Sequence, residues 1–450
     1  MRLYDTATRQ LQELPPPPGP IRMYFCGPTV YQRIHVGNAR PFVISLWLKR
    51  WLERGGYDVT LVENITDIND KIYAAAPGDS ARLAADASGW YVEDTGGLGL
   101  GRPDVEPKAT ETLPEIVALI EELVEAGHAY PAGGDVYFRV ESFPDYGRLS
   151  GRHGDEEATR NPSEEPEADE PKEDPRDFAL WKAHKQGEDT WWDSPWGRGR
   201  PGWHIECSAM AEAILGVDFE VHGGGSDLIF PHHENEIAQT EAAHGHPLAR
   251  IWMHNGIVRL GGEKMAKSVG NIRSLAGALD EYGRDALVMY FVSGHYRQPQ
   301  AYSPGELEQA ASSVERIREL VRRLDRDADG PSGLDEQVER FYAALAEDFN
   351  TPGARAAMFD WIAEANRRLA AGERFGPGDL ADMLWVLGLE DLLEAGEEEA
   401  PPEAQALLDE REAARADRDF ELADRKRDEL AALGWQVRDT PDGPRLVRQA

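Results

Sequence analysis

The chain has 450 residues, a net charge of −34 and two cysteines. This length predicts two to four domains, and the charge argues against a broadly basic nucleic-acid-binding surface, although only the local field at a contact decides binding. No apolar run reaches the roughly 18 residues of a membrane span, and the N-terminus lacks the apolar stretch of a secretory signal. Two distant cysteines without such a signal favour the reducing cytoplasm over a disulfide framework.

The first half of the chain has an α/β pattern. A strand at 21–25, a helix at about 38–53 and a strand at 58–65 follow one another in an order typical of a parallel sheet. An amphipathic helix at 113–126 and a short strand at 135–140 come next. The acidic, proline-containing stretch 155–175 then indicates a flexible, solvated insertion.

The α/β pattern resumes at Phe178. It predicts a helix at 204–215, a strand at 219–221, a helix from about His232, a strand at 251–260 and a helix at 274–292. Helical periodicity dominates from about residue 306, and the last fifty residues predict two helices and a β-like tail. Several aromatic and basic side chains of these C-terminal regions are candidates for RNA contact: Arg316, Arg318, Arg322, Arg323, Arg326, Trp435, Arg438, Arg445 and Arg448.

Each cysteine lies in a polar motif with other metal-binding residue types. Cys26 precedes Gly27-Pro28-Thr29, Cys207 follows Trp203-His204-Ile205-Glu206, and the segment 231–236 adds histidines and glutamates. Two thiols, an imidazole and a carboxylate form a plausible zinc ligand set, whereas two buried free thiols are the simpler alternative. Spacing leaves the histidine open: His232 and His233 both share a helical face with Glu236, and His204 and His222 are further candidates.

Two further motifs indicate a nucleotide. His35-Val36-Gly37-Asn38 opens the first helix, where free N–H groups and a partial positive charge suit phosphates. Lys264 and Lys267 lie three residues apart in a glycine-flanked loop after a strand, which suits stabilisation of a transient pentavalent phosphate. Either motif alone is better explained as solvated surface.

Together, the two motifs resemble the signatures of class I aminoacyl-tRNA synthetases. The similarity to the cysteinyl-tRNA synthetase family covers nearly the whole chain and is weakest in the acidic insertion; it is carried by the segments 26–40, 64–71, 195–210, 222–239, 264–271, 348–352 and 411–434. Two positions depart from the usual signatures, since Asn38 replaces a more common His and Ala266 a more common Ser. We expect these departures to alter the rates rather than abolish activity, because both lysines are intact.

The resemblance implies an α/β fold with a Rossmann-like parallel-sheet catalytic domain, an inserted connective segment, a helical-bundle domain and a small mixed C-terminal domain. The expected boundaries are 1–110 and 178–260 for the halves of the catalytic domain, 111–177 for the connective insertion, 261–305 for the signature loop and stem-contact region, 306–400 for the helical anticodon-binding bundle and 401–450 for the small anticodon-recognition domain.

The resemblance also implies the site residues and ligands. One Zn²⁺ is expected on Cys26, Cys207, His232 and Glu236, and Mg²⁺ is expected with ATP. Catalytic and ATP-binding roles fall on His35, Gly37, Asn38, Lys264, Lys267 and Ser268. Substrate contacts fall on Gly27, Thr66, Trp203, which would wall the side-chain pocket, and Asp227, which would bind the substrate ammonium.

The expected activity is ATP-dependent activation of L-cysteine and its transfer to a cysteine tRNA by a cytoplasmic monomer. Two alternatives stay open at this point. A shortened relative joins cysteine to an amino sugar in mycothiol biosynthesis, but the C-terminal region here argues against it. A non-catalytic tRNA-binding paralog would not need His35, Lys264, Lys267 and all four presumed metal ligands.

Overall fold

The computed structural model describes residues 1–152, 171–260, 263–264, 273–325, 328, 332–394, 401–416, 419–440 and 443–448. Most of the predicted flexible insertion therefore lies outside the described residues, as do Ala266, Lys267 and Ser268 of the second signature. Within the described residues, no helix is long and apolar enough to cross a membrane.

The centre of the fold is a four-stranded parallel sheet, as the sequence predicts. Its strand order is β11-β10-β3-β4, with β3 Pro20–Phe25, β4 Asp58–Glu63, β10 Phe219–Gly225 and β11 Ala249–Asn255. Helix α1, Val36–Arg54, connects β3 to β4. The strands are apolar because both faces of a parallel sheet are covered. Their carboxyl ends meet at one edge, where ligands bind in open α/β sheets.

A connective region separates β4 from β10. It contains helices α2 Asp70–Ala75, α3 Ser80–Gly96 and α4 Leu113–Glu125, followed by strands β5 Ala129–Ala132, β6 Asp135–Phe138, β7 Phe178–Ala183, β8 Trp192–Ser194 and β9 Gly197–Pro201. The strands form an antiparallel sheet of order β5-β6-β7-β9-β8. Leu180 and Phe138 of this sheet pack against Ile116 of α4, so the insertion has its own small core, of which the sequence predicted only α4 and β6.

Two helices beside β10 bring metal-binding residue types to the sheet edge. Helix α5 is Trp203–Leu215, and helix α6, Glu234–His244, follows a single π-helical turn at Ile229–His233. The N-terminal hairpin of β1 Arg2–Asp5 and β2 Gln10–Glu13 was not predicted. It docks beside β11, because the Trp252 N–H donates to the Asp5 carboxylate at 2.9 Å.

Two predicted elements are each divided in the structure. The predicted strand 251–260 ends with β11 at Asn255 and resumes as β12, Val258–Leu260, which pairs with β13, Glu263–Lys264, and with β14, Gln300–Tyr302. The predicted helix 274–292 is two helices, α7 Leu275–Tyr282 and α8 Arg284–Val292. Gly283 separates them with a φ of 76°, a value that glycine adopts without strain.

The remaining helices are α9 Pro304–Val321, α10 Asp335–Ala346, α11 Thr351–Ala370, α12 Gly378–Val386, α13 Pro402–Ala416 and α14 Phe420–Ala432, and the chain ends in the hairpin of β15 Trp435–Thr440 and β16 Gly443–Arg448. One buried apolar cluster runs from Ile21 of β3 through Trp47 of α1 to Met358 of α11 and Leu384 of α12. The parallel sheet and the helical region therefore share a continuous core.

Several of the predicted RNA contacts serve the protein itself. Trp435 is only 6% exposed and packs with Ala404 and Leu430, so it is a core residue and not a free stacking platform. Arg318 pairs with Asp285 at 2.7 Å, and Arg316 lies over the Phe359 ring. Arg326 and the side chains of Arg438, Arg445 and Arg448 lie outside the described part of the chain.

Candidate active site and metal centre

Four predicted ligands meet at the carboxyl edge of the parallel sheet. Cys26 directly follows β3, Cys207 lies in α5, His232 lies in the π-helical turn, and Glu236 lies in the first turn of α6. All four are buried, and one ligand atom from each lies within 4.8 Å of the other three. Residues 210 positions apart therefore converge on one point, where they form a candidate metal centre.

The orientation of His232 suits a metal ligand. Its Nε2 atom lies 3.1 Å from Oε1 of Glu236, and the same oxygen lies 3.5 Å from Sγ of Cys26. Its Nδ1 atom lies 3.0 Å from Nδ1 of His204. Metal-binding histidines usually hydrogen-bond through the ring nitrogen that does not bind the metal, which fixes the tautomer and the ring. His204 thus supports His232 rather than competing with it.

The other histidine candidates also lie at this cluster. Cys26, His222, His233 and Glu236 form a second group of four whose ligand atoms lie within 4.8 Å of one another. His222 contacts Oε2 of Glu236 at 2.8 Å, and Nδ1 of His233 contacts His254 at 2.7 Å. Geometry alone therefore leaves both sets open. Only the set with His232 uses both sulfur atoms, since Cys207 belongs to that set alone.

Burial shifts the pKa values of three of the four candidate ligands. It raises the pKa of the Cys26 thiol well above its ordinary value, and it lowers the pKa of His232 to about 3. A hydrogen bond with Cys26 lowers the pKa of Cys207, but burial and nearby carboxylates outweigh it and raise that pKa. Neutral thiols at pH 7 become thiolates when a cation binds them, so metal binding here releases protons.

Gly27 and Thr66 are joined by a residue that the sequence analysis did not single out, Asn64. Its Oδ1 atom accepts the Gly27 N–H at 3.0 Å, and its Nδ2 atom donates to Oγ1 of Thr66 at 3.1 Å. The thiol of Cys207 lies 3.7 Å from the same Oδ1 atom. A Cβ atom at Gly27 would overlap the Asn64 carbonyl oxygen. Its position directly after β4, at the carboxyl edge of the sheet, is the sequence feature that could have identified Asn64.

Trp203 contacts the candidate metal centre, whereas Asp227 lies in the turn after β10. The Trp203 ring stacks on His232, with ring centroids 4.5 Å apart, and it is only partly buried, so it forms a wall rather than a core side chain. Asp227 is exposed. Its carboxylate lies over Gly225, where a Cβ atom would overlap it. Gly225 thus leaves room for the Asp227 carboxylate in the turn after β10.

The first signature forms the N-terminus of α1. The Asn38 N–H donates to Nδ1 of His35 at 3.3 Å, and the His35 N–H donates to the Asn38 side chain at 3.4 Å. Because Nδ1 accepts, the proton of the neutral imidazole lies on Nε2, where it can donate to an anion. A Cβ atom at Gly37 would lie 2.9 Å from the His35 ring, so glycine at this position leaves the room that the imidazole occupies.

The second signature is described only in part. The backbone of Lys264 pairs with Arg259 across the β12–β13 hairpin, while the Lys264 side chain, Lys267 and Ser268 lie outside the described residues. Beyond this gap, Ser274 forms an antiparallel bridge with His35. The described chain that follows the second signature is therefore close to the first signature, as a shared nucleotide site requires.

Comparisons with known proteins agree with this architecture. A family model described as "tRNA synthetases class I (C) catalytic domain" matches residues 14–312, a DALR domain model matches 340–388, and one described as "Cysteinyl-tRNA ligase anticodon binding domain" matches 397–444. Among solved structures, Mycobacterium tuberculosis methionyl-tRNA synthetase in complex with methionyl-adenylate is similar, with a TM-score of 0.60, 16% identity, and coverage of 83% of this chain and 89% of that chain. That likeness shows the fold.

Relatives of the same length share far more sequence. The cysteine–tRNA ligase of Symbiobacterium thermophilum is 43% identical over 470 aligned positions, covering 100% of this chain and 99% of its own. That of Alkalilimnicola ehrlichii is 45% identical over 469 positions, covering 100% of both chains. With a class I catalytic domain, an anticodon-binding domain and full-length identity at this level, the chain belongs to the cysteine–tRNA ligase family.

Proposed function

We propose that this chain activates L-cysteine with ATP and transfers it to the 3′-terminal adenosine of a cysteine tRNA, acting as a monomer. In the first step the cysteine carboxylate attacks the α-phosphorus, pyrophosphate leaves, and cysteinyl-adenylate forms. In the second step a ribose hydroxyl attacks the acyl carbon and AMP leaves. The observation that carries the proposal is the convergence of Cys26, Cys207, His232 and Glu236 at the carboxyl edge of the parallel sheet.

The donor set fits zinc. Two buried sulfur atoms, an imidazole nitrogen and a carboxylate oxygen are ligand types that zinc takes in proteins. Cys26, Cys207, His232 and Glu236 would hold it. When bound, zinc supplies a soft Lewis acid that accepts the thiolate of the substrate cysteine and rejects the hydroxyl of serine. A hydrophobic pocket discriminates such close analogues by factors of only about 100. Because the zinc would add selection for a thiolate, a separate editing site would not be needed.

The residues around the metal would orient the rest of the amino acid. Trp203 would exclude water from the small side-chain pocket, and the exposed carboxylate of Asp227 would bind the substrate ammonium. Gly27 and Thr66 line the carboxyl edge, and Asn64 fixes both. Holding the reacting carboxylate in one orientation contributes to rate by lowering the entropy lost in reaching the transition state.

The ATP site would be built from the two signatures. The N–H groups at the start of α1 and the Nε2–H of His35 are suited to the phosphates, and Gly37 and Asn38 keep that imidazole in position. The family resemblance assigns Lys264, Lys267 and Ser268 to the same triphosphate, together with Mg²⁺. The Asn38 side chain accepts a hydrogen bond from the His35 N–H and so caps the start of α1. This contact supports retained activity with Asn in place of the more common His.

The C-terminal regions would bind the tRNA. We assign acceptor-stem contact to residues 261–305, the helical anticodon-binding bundle to 306–400 and the anticodon-recognition domain to 401–450. The anticodon-binding match at 397–444 supports the last of these and speaks against the shortened amino-sugar ligase. Full-length identity to cysteine–tRNA ligases speaks against a non-catalytic paralog.

The test is ATP–pyrophosphate exchange with each of the twenty amino acids, followed by aminoacylation of a cysteine tRNA. We expect exchange with cysteine, little with serine, and charging of the tRNA. Absence of cysteine-dependent exchange would contradict the proposal. Exchange without charging would favour the amino-sugar ligase.

A further inference from the structure

Arg40 is a buried cation next to the first signature. It lies in α1, two residues after Asn38, and its side chain is 1% exposed. Its guanidinium donates only to main-chain carbonyl oxygens among the described residues: Nη1 to Gly256 at 2.6 Å and Gln298 at 2.8 Å, and Nη2 to His295 at 2.9 Å. The group joins α1 to two segments of backbone that are distant in sequence, Gly256 and the 295–298 turn.

Burying this charge opposes folding. Removing a guanidinium from water costs several kcal/mol even after relaxation, and burial lowers the pKa of Arg40 to about 10, so the group is still charged at pH 7. An apolar side chain would fill this helix face at a lower desolvation cost. What the guanidinium adds is a planar set of donors that holds several acceptors in a fixed arrangement.

One of the three carbonyl groups belongs to the segment that leads to the second signature. Gly256 lies directly after β11 and two residues before the start of β12, whose Arg259 pairs with the Lys264 backbone. The Gly256 N–H donates to the Tyr296 carbonyl at 2.7 Å, and a Cβ atom at Gly256 would overlap the Gln298 carbonyl. Gly256 and the 295–298 turn thus form one packed unit, which Arg40 attaches to α1.

The chain after the second signature is also attached to α1. The Val36 N–H donates to the Arg273 carbonyl at 3.1 Å, and the Leu275 N–H donates to the Ile34 carbonyl at 3.0 Å. The start of α1 is therefore hydrogen-bonded to the backbone on both sides of the second signature. Arg40 reaches Gly256 before the signature, and the backbone around Val36 pairs with the chain around the start of α7 after the signature.

The helical region holds the 295–298 turn from its other side. Asp348, in the loop between α10 and α11, accepts hydrogen bonds from the Tyr296 hydroxyl at 2.7 Å and from Nε of Arg297 at 2.7 Å. Asp348 itself has a φ of 55°, a conformation that is uncommon for a non-glycine residue. Its carboxylate is thus aimed at the turn by a loop in a specific conformation.

We propose that Arg40 is a positioning residue for adenylation: it fixes the distance between the first-signature helix and the backbone that carries Lys264, and Asp348 holds the shared turn in place from the helical region. The proposal rests on the proposed function, because the two signatures must act on one triphosphate. Misplacement by about 1 Å of groups that stabilise a transition state lowers rates by roughly 10²-fold. The loss is expected in kcat, since the groups that contact cysteine are elsewhere.

The test compares Arg40→Lys with Arg22→Lys in cysteine-dependent ATP–pyrophosphate exchange. Arg22 is the control, because it also donates to two backbone carbonyls, those of Leu215 and Asp218, each at 2.8 Å, but lies near the amino end of β3, where it also pairs with Glu220. We expect kcat to fall about 10- to 100-fold for Arg40→Lys, with the KM for cysteine changed less than about twofold, and to stay near wild type for Arg22→Lys. Equal kcat in both variants would overturn the proposal.

A double-mutant cycle with Asp348→Asn tests the link through the turn. If both residues hold the same turn, the fold loss of kcat in the double variant is smaller than the product of the fold losses in Arg40→Lys and Asp348→Asn. Multiplicative effects would overturn this part. Absence of exchange in the wild-type chain would contradict the proposed function, whereas normal wild-type exchange with an unimpaired Arg40→Lys variant would contradict only the positioning role.

Discussion

The Nε2 atom of His232 lies 3.1 Å from Oε1 of Glu236, four residues further along the chain. The same carboxylate contacts Sγ of Cys26 and Nε2 of His222, so it is the negatively charged centre of the proposed zinc site. Glu236→Gln keeps the shape and removes the charge. We expect zinc affinity to fall by more than the ~10–100-fold typical of losing an outer partner, as measured by metal analysis during chelator titration.

The control for Glu236→Gln is Glu241→Gln in the same helix. Glu241 pairs with Arg148 at 2.6 Å and is not among the candidate ligands. We expect this variant to keep one zinc per chain and wild-type exchange activity. Equal zinc affinity in the two variants would remove Glu236 from the ligand set.

Asn64 connects the amino-acid pocket to the metal cluster, and its removal should impair the use of cysteine. Asn64→Ala leaves the half-buried Gly27 N–H and the buried Thr66 hydroxyl without this partner, which costs about 1–3 kcal/mol of stability. We expect kcat/KM for cysteine to fall by up to about 100-fold, because small displacements of groups around the substrate have effects of that size. Asn366→Ala is the control, because Asn366 also makes two side-chain hydrogen bonds but lies in α11. An unchanged kcat/KM in Asn64→Ala would show that Gly27 and Thr66 do not depend on it.

Gly37→Ala should displace the His35 imidazole, since the added Cβ atom would lie 2.9 Å from that ring. We expect kcat for exchange to fall by up to about 100-fold, in keeping with the sensitivity of catalysis to small displacements. Gly89→Ala in α3 is the matched control: a Cβ atom there meets nothing within 4 Å, so the variant should be active and about 0.5–1 kcal/mol more stable. A Gly37→Ala enzyme with wild-type kcat would contradict this account of His35.

Glu63 predicts a pH dependence of stability. It is 2% exposed at the end of β4, it accepts a hydrogen bond from the Tyr91 hydroxyl at 2.6 Å, and burial raises its pKa to about 7. The native state then binds the proton more tightly than the unfolded chain, so the stability that this proton provides is lost as pH rises through 7.

Glu63→Gln is neutral at every pH and isolates this contribution. Relative to wild type, we expect its free energy of unfolding to increase by about 2–3 kcal/mol between pH 5 and pH 8. Urea unfolding at several pH values measures this difference. A difference that stays constant with pH would show that Glu63 is charged throughout the range.

The sequence predicted the parallel sheet and the four proposed ligands because both depend on local or distinctive signals. The β3–α1–β4 unit has an apolar strand, a breaker at Gly27-Pro28 and a helical pattern in direct succession. The ligand types are few, with only two sulfur atoms in the chain, and His232 and Glu236 share a helical face. The choice between His232 and His233 came from the family resemblance, and both residues do lie at the cluster.

Features that depend on contacts between remote segments were not predicted. Gly256 divides a predicted strand because it packs against Gln298, and nothing within 249–260 indicates that contact. Asn64 and Arg40 looked like ordinary residues in a loop and a helix until their partners were in place. Trp435 was predicted as a base-stacking residue from its type and domain, but the packing of Ala404 and Leu430 makes it core.

Cys26 and Cys207 are proposed to hold a zinc ion that recognises the sulfur atom of the substrate. X-ray absorption at the zinc edge tests it directly, because sulfur ligands at about 2.3 Å are distinguished from nitrogen and oxygen ligands at about 2.0–2.2 Å. We predict two sulfur atoms per zinc in the protein alone, three when cysteine is added, and two when serine is added. A sulfur count that does not change with cysteine would contradict the account.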